Sequence, residues 1–261
     1  MKLKLYQVDA FTNQIFGGNP AAVCPLDEWL SDDTMQKIAM ENNLAETAFF
    51  VLKDNQYEIR WFTPTVEVDL CGHATLAAAH VIFNHLHFSS TRLPFFSPRS
   101  GVLNVFKKDH LLTLDFPTDE YDPIDMPESV FSYFQMEPVE AYKGKTDFVF
   151  VFKNEQEIQQ ILPDFLCIHS LGGRGVIVTA PGNEVDFVSR FFAPQAGINE
   201  DPVTGSAHTT LTPYWAKKLG KDHLTAVQLS ARKGHLECRY LGERVEISGQ
   251  AVTYLMGEIN L

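Results

Sequence analysis

The sequence predicts an α+β protein built from two similar halves. Three observations carry that expectation: short stretches of strand character run through the chain, two helices each open on a Gly motif, one of them apolar almost all round, and parts of the first half recur in the second. The 261 residues suit one large domain or two of about 130. With 45% hydrophobic and 12% aromatic residues there is material for a packed core, which sets the chain apart from disordered sequences. There are 33 acidic residues against 21 basic ones, a formal net charge of -12, and no run of Lys and Arg. Such a surface repels phosphate backbones, so no nucleic-acid role is expected.

Taken in order, residues 3–9 alternate apolar and polar and read as a strand. Gly17-Gly18-Asn19-Pro20 has turn chemistry, and 21–24 is a short buried strand. Ser31 is placed to cap a helix that runs to about Glu41, with Met35, Ile38 and Ala39 on its apolar face and Asn42-Asn43 at its end. Residues 47–52 and 57–62 follow as strands. Residues 73–86 are Ala-rich, lack Gly and Pro, and are apolar on nearly every face, which marks a buried helix. Further strands are expected at 103–105, 111–116, 148–152 and 175–179, with a linker at 117–127. A second helix spans 206–219, closed by Gly220, and Pro213 inside it should kink it or cost a hydrogen bond.

The four cysteines, Cys24, Cys71, Cys167 and Cys238, are widely spaced, and nothing demands disulfides. The opening apolar stretch is broken by Lys4, Gln7 and Asp9, so it lacks a signal-peptide core. No window approaches ~18–20 uncharged apolar residues. A soluble cytoplasmic protein with reduced thiols is therefore expected.

The recurrence is specific. Arg60-Trp-Phe-Thr-Pro64 matches Arg190-Phe-Phe-Ala-Pro194 at an offset of 130, and Ser97-Pro-Arg99-Ser-Gly101-Val-Leu103 matches Ser230-Ala-Arg232-Lys-Gly234-His-Leu236 at an offset of 133. Between them, Cys71-Gly72-His73 and Thr204-Gly205-Ser206 each open a helix. Domains of 1–117 and 118–261 are expected, with the last strand able to pair with the first domain. A helix N-terminus offers unpaired N–H groups and partial positive charge. Two such ends, from two similar halves, can converge on one small carboxylate in a cleft between domains. Neither Gly motif is a nucleotide loop, because GxGxxG and GxxxxGK[ST] are both missing.

Candidates for chemistry follow from these places. Glu46 stands before an apolar strand with uncharged neighbours, either as a rim carboxylate or as a base tuned by its surroundings. His73 follows Gly72 at a helix start, where a neutral imidazole can exchange a proton or simply bond to backbone. In Asn199-Glu200-Asp201-Pro-Val-Thr-Gly-Ser206, Asp201 can bind a substrate ammonium, and Ser206 can cap the helix or meet the ligand. Cys71 would need a partner thiol at the second repeat to form a two-base racemase, but Thr204 stands there, so Cys71 reads as a small buried residue. The His80, His85 and His87 group has no zinc spacing, and Gly-x-Ser-x-Gly does not occur, so neither a metal site nor a serine hydrolase is expected.

Asp9-Ala-Phe-Thr, Gly18-Asn-Pro-Ala-Ala-Val23, Asn43-Leu-Ala-Glu46-Thr-Ala-Phe, Glu67-Val-Asp-Leu-Cys-Gly-His-Ala-Thr75 and Glu200-Asp-Pro-Val-Thr-Gly-Ser-Ala-His208 together resemble the PhzF-like phenazine-biosynthesis family. The matches run in order from about residue 6 to residue 235. The resemblance implies a diaminopimelate-epimerase-like fold: two similar domains, each a curved, mainly antiparallel sheet around a central helix. It implies Glu46 as the acid/base, with His73 and Asp201 beside it in catalysis. Gly72, Gly205, Ser206 and Asn19 would bind substrate, with backbone N–H groups of the two glycines meeting a carboxylate. It also implies no cofactor, and relatives often form homodimers. The expected function is a cofactor-independent isomerase that moves a proton on a small, amino-acid-like or cyclic unsaturated carboxylate. The alternatives are a non-catalytic carboxylate binder on the same fold and a Cys71-dependent racemase or dehydratase.

Overall fold

The structure, a computed structural model, describes residues 1–261. In chain order the elements are β1 (Lys2–Ala10), β2 (Asn19–Leu26), α1 (Asp32–Asn42), β3 (Glu46–Lys53), β4 (Gln56–Phe62), β5 (Glu67–Val68), α2 (Gly72–His85), β6 (Arg92–Ser97), β7 (Gly101–Lys108) and β8 (Leu111–Pro117). Then come β9 (Tyr121–Pro123), α3 (Val130–Phe134), β10 (Glu140–Gly144), β11 (Asp147–Val151), α4 (Glu155–Gln160), α5 (Phe165–Ser170), β12 (Gly175–Pro181), β13 (Phe187–Ala193) and β14 (Ile198–Asp201). The chain ends with α6 (Gly205–Leu219), β15 (His223–Gln228), β16 (Gly234–Tyr240), β17 (Arg244–Gly249) and β18 (Ala251–Asn260). It divides into two compact units, one of Met1–Asp115 with Ser248–Leu261, the other of Phe116–Ile247. No helix is long and apolar enough to cross a membrane.

In the first unit β1 runs antiparallel to both β2 and β18. β2 is parallel to β3, β3 antiparallel to β4, and β4 pairs antiparallel with β5 and parallel with β6, which is antiparallel to β7. The second unit repeats the scheme: β11 parallel to β12, β12 antiparallel to β13, β13 antiparallel to β14 and parallel to β15, and β15 antiparallel to β16. Parallel neighbours need a crossover, usually a helix, and here the long crossovers of β4 to β6 and β13 to β15 contain α2 and α6. The matched arginines play one part in both units. Arg60 holds Glu67 with two bonds of 2.7 and 2.8 Å and lies over the Phe62 ring, and Arg190 holds Glu200 with bonds of 2.7 and 3.0 Å and lies over Phe192. Glu200, from the Asn199–Ser206 motif, is therefore a structural partner.

The two long helices form the centres of the units. From His73 to Phe83 only His80 of α2 is not buried, and the helix packs on β1, β2, β3 and β18. Each fully buried Leu, Val or Ile there contributes about 1.5–3 kcal/mol relative to exposure. Helix α6 packs on β15 and β16, with Trp215 stacked on Phe187 and donating from Nε1 to Thr179 Oγ1 at 3.0 Å. Ser31 caps α1 by accepting from the Thr34 N–H at 3.2 Å, and Asn43 closes the helix in the left-handed region at φ 49°.

Several expectations are corrected. Asn19 and Pro20 are not turn residues: they begin β2, and the turn lies before them, at Ile15-Phe16, followed by a bend at Gly17-Gly18. Gly18 has φ +57°, and a Cβ there would lie 2.1 Å from the Ala10 carbonyl oxygen, so only glycine fits. The expected linker at 117–127 contains β9, which pairs with β10. Helices α3, α4 and α5 have 5 or 6 residues each, too short to show a 3.6-residue period. Pro213 does lie inside α6, and the hydrogen bond it cannot donate is replaced: the Thr209 carbonyl accepts the Asp119 N–H at 3.2 Å instead. The Asp119 carboxylate also accepts from Thr210 Oγ1 at 2.8 Å, so the segment before β9 is tied to the proline turn.

His208, wholly buried in α6, gives this unit a pH dependence. Burial lowers its pKa from 6.5 to about 4, against a weaker opposing bond to the Thr204 carbonyl. The unfolded state therefore takes up a proton near pH 6.5 that the folded state refuses until about pH 4. Stability contributed by the neutral ring is complete above pH 6.5 and is lost as pH falls through this window, by about 3 kcal/mol. Denaturant unfolding of wild type and His208→Leu at pH 7, 5.5 and 4.5 should show the variant with a shallower loss, and parallel curves would refute the assignment.

Candidate functional site

The first unit gathers four polar residues around the start of α2. Glu46 opens β3 and Asn19 opens β2, and these strands are parallel neighbours, with Ala21 opposite Glu46. Their first residues therefore lie at one end of the sheet. Cys71 is the N-cap residue of α2, in an extended conformation, and no side chain caps the helix. His73 in the first turn is buried and stands among the other three. Its Nε2 is 3.1 Å from Glu46 Oε2, and its Nδ1 is 3.3 Å from Asn19 Nδ2 and 3.5 Å from Cys71 Sγ.

The contact between Glu46 and His73 is close but not aligned. Both Glu46 Oε2 and His73 Nε2 are shut off from water without a hydrogen bond of good geometry. Native proteins leave few buried polar atoms in this state, and those they leave mark sites of function or of a missing ligand. Burial opposes a charge on His73, but Cys71 and the Glu46 carboxylate more than offset it, so its pKa stands well above the ordinary value. Burial, and then the charge of Glu46, pushes the Cys71 thiol up. Asn19 can serve either form of the ring: its Nδ2 donates to a bare Nδ1, and rotation of the amide presents Oδ1 to a protonated one. Glu46, Cys71 and His73 each offer one donor atom within 4.8 Å of the others, the one set of three that could hold a metal ion. The sequence carries no sign of this trio, because Glu46 comes from a different element.

The second unit builds a counterpart with other residues. Thr204 occupies the N-cap position of α6 and again provides no side-chain cap, so the cap expected of Ser206 is not formed. Ser206 lies one residue inside the helix, and its Oγ accepts from Arg174 Nη1 at 2.9 Å. The Thr204 hydroxyl donates to the Asp201 carboxylate, and Gln228 Nε2 donates to the Asp201 carbonyl at 2.7 Å. Asp201, Gly205 and Ser206 thus cluster at one helix end, as Glu46, Gly72 and His73 do at the other.

Arg174 escaped notice in the sequence. It stands in a Gly-rich turn before β12, with nothing local to single it out. Asp147, buried at 1% exposure, holds it through Nε at 2.9 Å and through Nη2, and its plane lies over the Phe191 ring. Burial works against the guanidinium charge, while Asp147, Asp201 and Asp119 favour it, and the balance keeps it fully charged. The histidines of the third candidate group meet elsewhere: His80 Nε2 and His85 Nε2 share Thr253 Oγ1 at 3.0 and 2.8 Å, and no third donor joins them.

Removing the guanidinium would leave Asp147 charged, buried and unpaired. Arg174→Gln should lower unfolding stability by roughly 2–3 kcal/mol, with Arg174→Lys intermediate because it keeps the charge and loses the fork. Denaturant melts of both variants test this, and a loss below about 0.5 kcal/mol would show that the pair contributes nothing.

A family model described as phenazine biosynthesis-like protein matches residues 8–257. An uncharacterized isomerase of Pseudomonas aeruginosa is 51% identical over the full length of both chains. The crystal structure of a PhzF-family phenazine biosynthesis protein from Enterococcus faecalis superposes with a TM-score of 0.98 at 48% identity, covering all of both chains. A hydroxyproline epimerase from Agrobacterium vitis shares the fold alone, with a TM-score of 0.64 at 10% identity over 100% of this chain and 93% of its own. The chain belongs to the phenazine biosynthesis-like family, on the two-domain fold of the epimerases, and is an enzyme of the isomerase class.

Proposed function

We propose that this isomerase shifts a proton on a small carboxylate substrate, with Glu46 as general acid and base and no cofactor. The observation that carries this reading is the pair of buried, unaligned polar atoms, Glu46 Oε2 and His73 Nε2, beside an uncapped helix start. Glu46 takes a proton from a carbon next to an unsaturation or carboxylate, the electron pair moves into the conjugated system, and Glu46 returns the proton at another carbon on the same face. His73, at 3.1 Å, steadies the carboxylate while it is charged and gives up that contact when it is protonated. The N–H groups at Gly72 and His73 supply positive potential where the substrate becomes more negative. Asn19 orients the imidazole through Nδ1 and acts on substrate through it.

In the second unit we assign substrate binding to Gly205 and Ser206 and the pairing of an amino group to Asp201. The ground is the repeated design: an uncapped helix start after an acidic residue, with Thr204 where the first unit has Cys71. A thiol base is the weaker reading. Burial and the Glu46 charge both hold Cys71 in its neutral form, and the repeat offers no second thiol.

The test is proton exchange in D2O, followed by NMR with a panel of amino acids and cyclic unsaturated amino acids. Wild type should place deuterium on one substrate carbon. Glu46→Gln should slow this by about 10²–10⁴-fold while keeping its fold. Undiminished exchange in the variant would remove Glu46 from the mechanism. Carboxylate binding with no exchange in wild type would favour a non-catalytic binder.

A further inference from the structure

The two units set matched residues around the heads of their long helices, and one matched pair is opposite in charge. In the first unit Asn19 begins β2, Glu46 begins its parallel neighbour β3, and His73 is the second residue of α2. In the second, Asp147 begins β11, Arg174 directly precedes the parallel neighbour β12, and Ser206 is the second residue of α6. The contacts correspond as well. Glu46 lies 3.1 Å from His73, and Arg174 donates from Nη1 to Ser206 Oγ at 2.9 Å. A cation therefore stands in the second unit where the first has Glu46. We propose that Arg174 is a specificity-determining residue that receives the substrate's carboxylate jointly with the Ser206 hydroxyl. This rests on the reading that a carboxylate meets Gly205 and Ser206, and it names the group that supplies the charge.

A guanidinium kept only to neutralise Asp147 need not reach solvent. Asp147 is 1% exposed, yet the Arg174 side chain is 40% exposed. Its bonds to Asp147 and Ser206 use three of the five N–H donors and leave one on Nη1 and one on Nη2. Asp147 grips one edge of the group, and the Phe191 ring lies against its plane. A Cβ at Gly175 would come within 2.3 Å of Phe191 Cζ, so the glycine makes room for that ring. The charge is thus held in place with donors unused, which reduces the ordering cost when a ligand binds.

The contact to Ser206 also fixes the direction of a further donor. Arg174 can only donate, so Ser206 Oγ accepts, and its own proton is turned toward another partner. That hydroxyl, the unused guanidinium donors and the N–H groups of the uncapped helix start make a donor-only set. A carboxylate accepts and never donates, and its bonds to a guanidinium are charge-assisted. The neighbouring carboxylates are already engaged. Asp147 is held by Arg174 itself, Asp119 accepts from Thr210 Oγ1 and the Lys145 N–H, and Asp201 accepts from the Thr204 hydroxyl. Their negative charge disfavours a bare dianion and suits a carboxylate on a molecule that also carries an amino group, the group assigned to Asp201.

The test uses the full-length chain and compares the amino acids of the deuterium-exchange panel with their primary amides, which keep the shape of the carboxylate and lose its charge. Binding is followed by saturation-transfer NMR, and turnover by deuterium exchange. Wild type should bind acids about tenfold or more tightly than amides, the worth of one charge-assisted bond. Arg174→Gln should erase that preference and raise KM for an exchanging acid by about tenfold with kcat little changed, and Arg174→Lys should fall between. Glu46→Gln should instead lower kcat. Arg239→Gln, which removes a surface cation of the same unit, should alter neither binding nor turnover. Circular dichroism confirms that each variant is folded. If Arg174→Gln is not, phenylglyoxal labelling of Arg174 in wild type decides, and acids but not amides should slow it. Acids that bind no better than amides, acids that do not bind wild type, or a preference that survives Arg174→Gln would each overturn the assignment. Acid binding that depends on Arg174 with no exchange of any acid would sink the isomerase reading alone. Exchange with an acid preference indifferent to Arg174 would sink this assignment alone.

Discussion

Helix α2 is buried along almost its whole length, and that one constraint arranges the rest of the first unit. A buried helix satisfies its interior backbone but leaves the first N–H groups without partners. Proteins usually meet this with a capping side chain, worth about 1 kcal/mol. Cys71 supplies none, and the open helix end becomes the most polarised point in an otherwise apolar interior. Strands β2 and β3 enter beside it and deliver Asn19 and Glu46, because parallel neighbours start at the same edge. A missing cap thus becomes the organising feature of a site.

The second unit shows how duplicated architecture diverges in chemistry. Its strand pairings repeat those of the first, and Arg190 clasps Glu200 as Arg60 clasps Glu67. The framework is conserved between the halves because it closes the crossover before each long helix. The helix ends are not. Thr204 and Ser206 replace Cys71 and His73, and a guanidinium pinned by Asp147 stands beside Ser206. An arginine near a helix N-terminus is electrostatically unfavourable by itself. Here Asp147, Asp119 and Asp201 offset it, which explains how so much charge is kept beside a helix start.

Charge and burial compete at each histidine, and their outcomes separate roles. His208 has no carboxylate beside it, burial prevails, and it remains a neutral core residue with a pKa near 4. His73 is equally enclosed but touches Cys71 and Glu46, and the balance reverses. The same side chain is a neutral packing element in one helix and meets a carboxylate and a thiol in the other. The difference is made by two neighbours, the Cys71 thiol and the Glu46 carboxylate.

Much of this was legible in the chain itself. Helix α2 followed from a run of apolar residues without Gly or Pro, the end of α6 from Gly220, and the α1 cap from Ser31. The repeat followed from Arg60 and Arg190 and their glycines. Glu46, His73 and Gly72 were marked out by local context, because a polar residue in an apolar setting is visible in one dimension. What sequence could not supply was everything that depends on distant segments meeting. The trio of Glu46, Cys71 and His73 joins a strand to a helix 25 residues away in the chain. Arg174 acquires its role only when Asp147 and Ser206 are folded against it. Ser206 looked like a cap until the helix was found to begin at Gly205. Pro213 looked like a defect until Asp119 was seen to take up the carbonyl it frees. Local composition fixes which residues are buried and where helices start. Only the tertiary fold decides which polar groups, once buried, face one another.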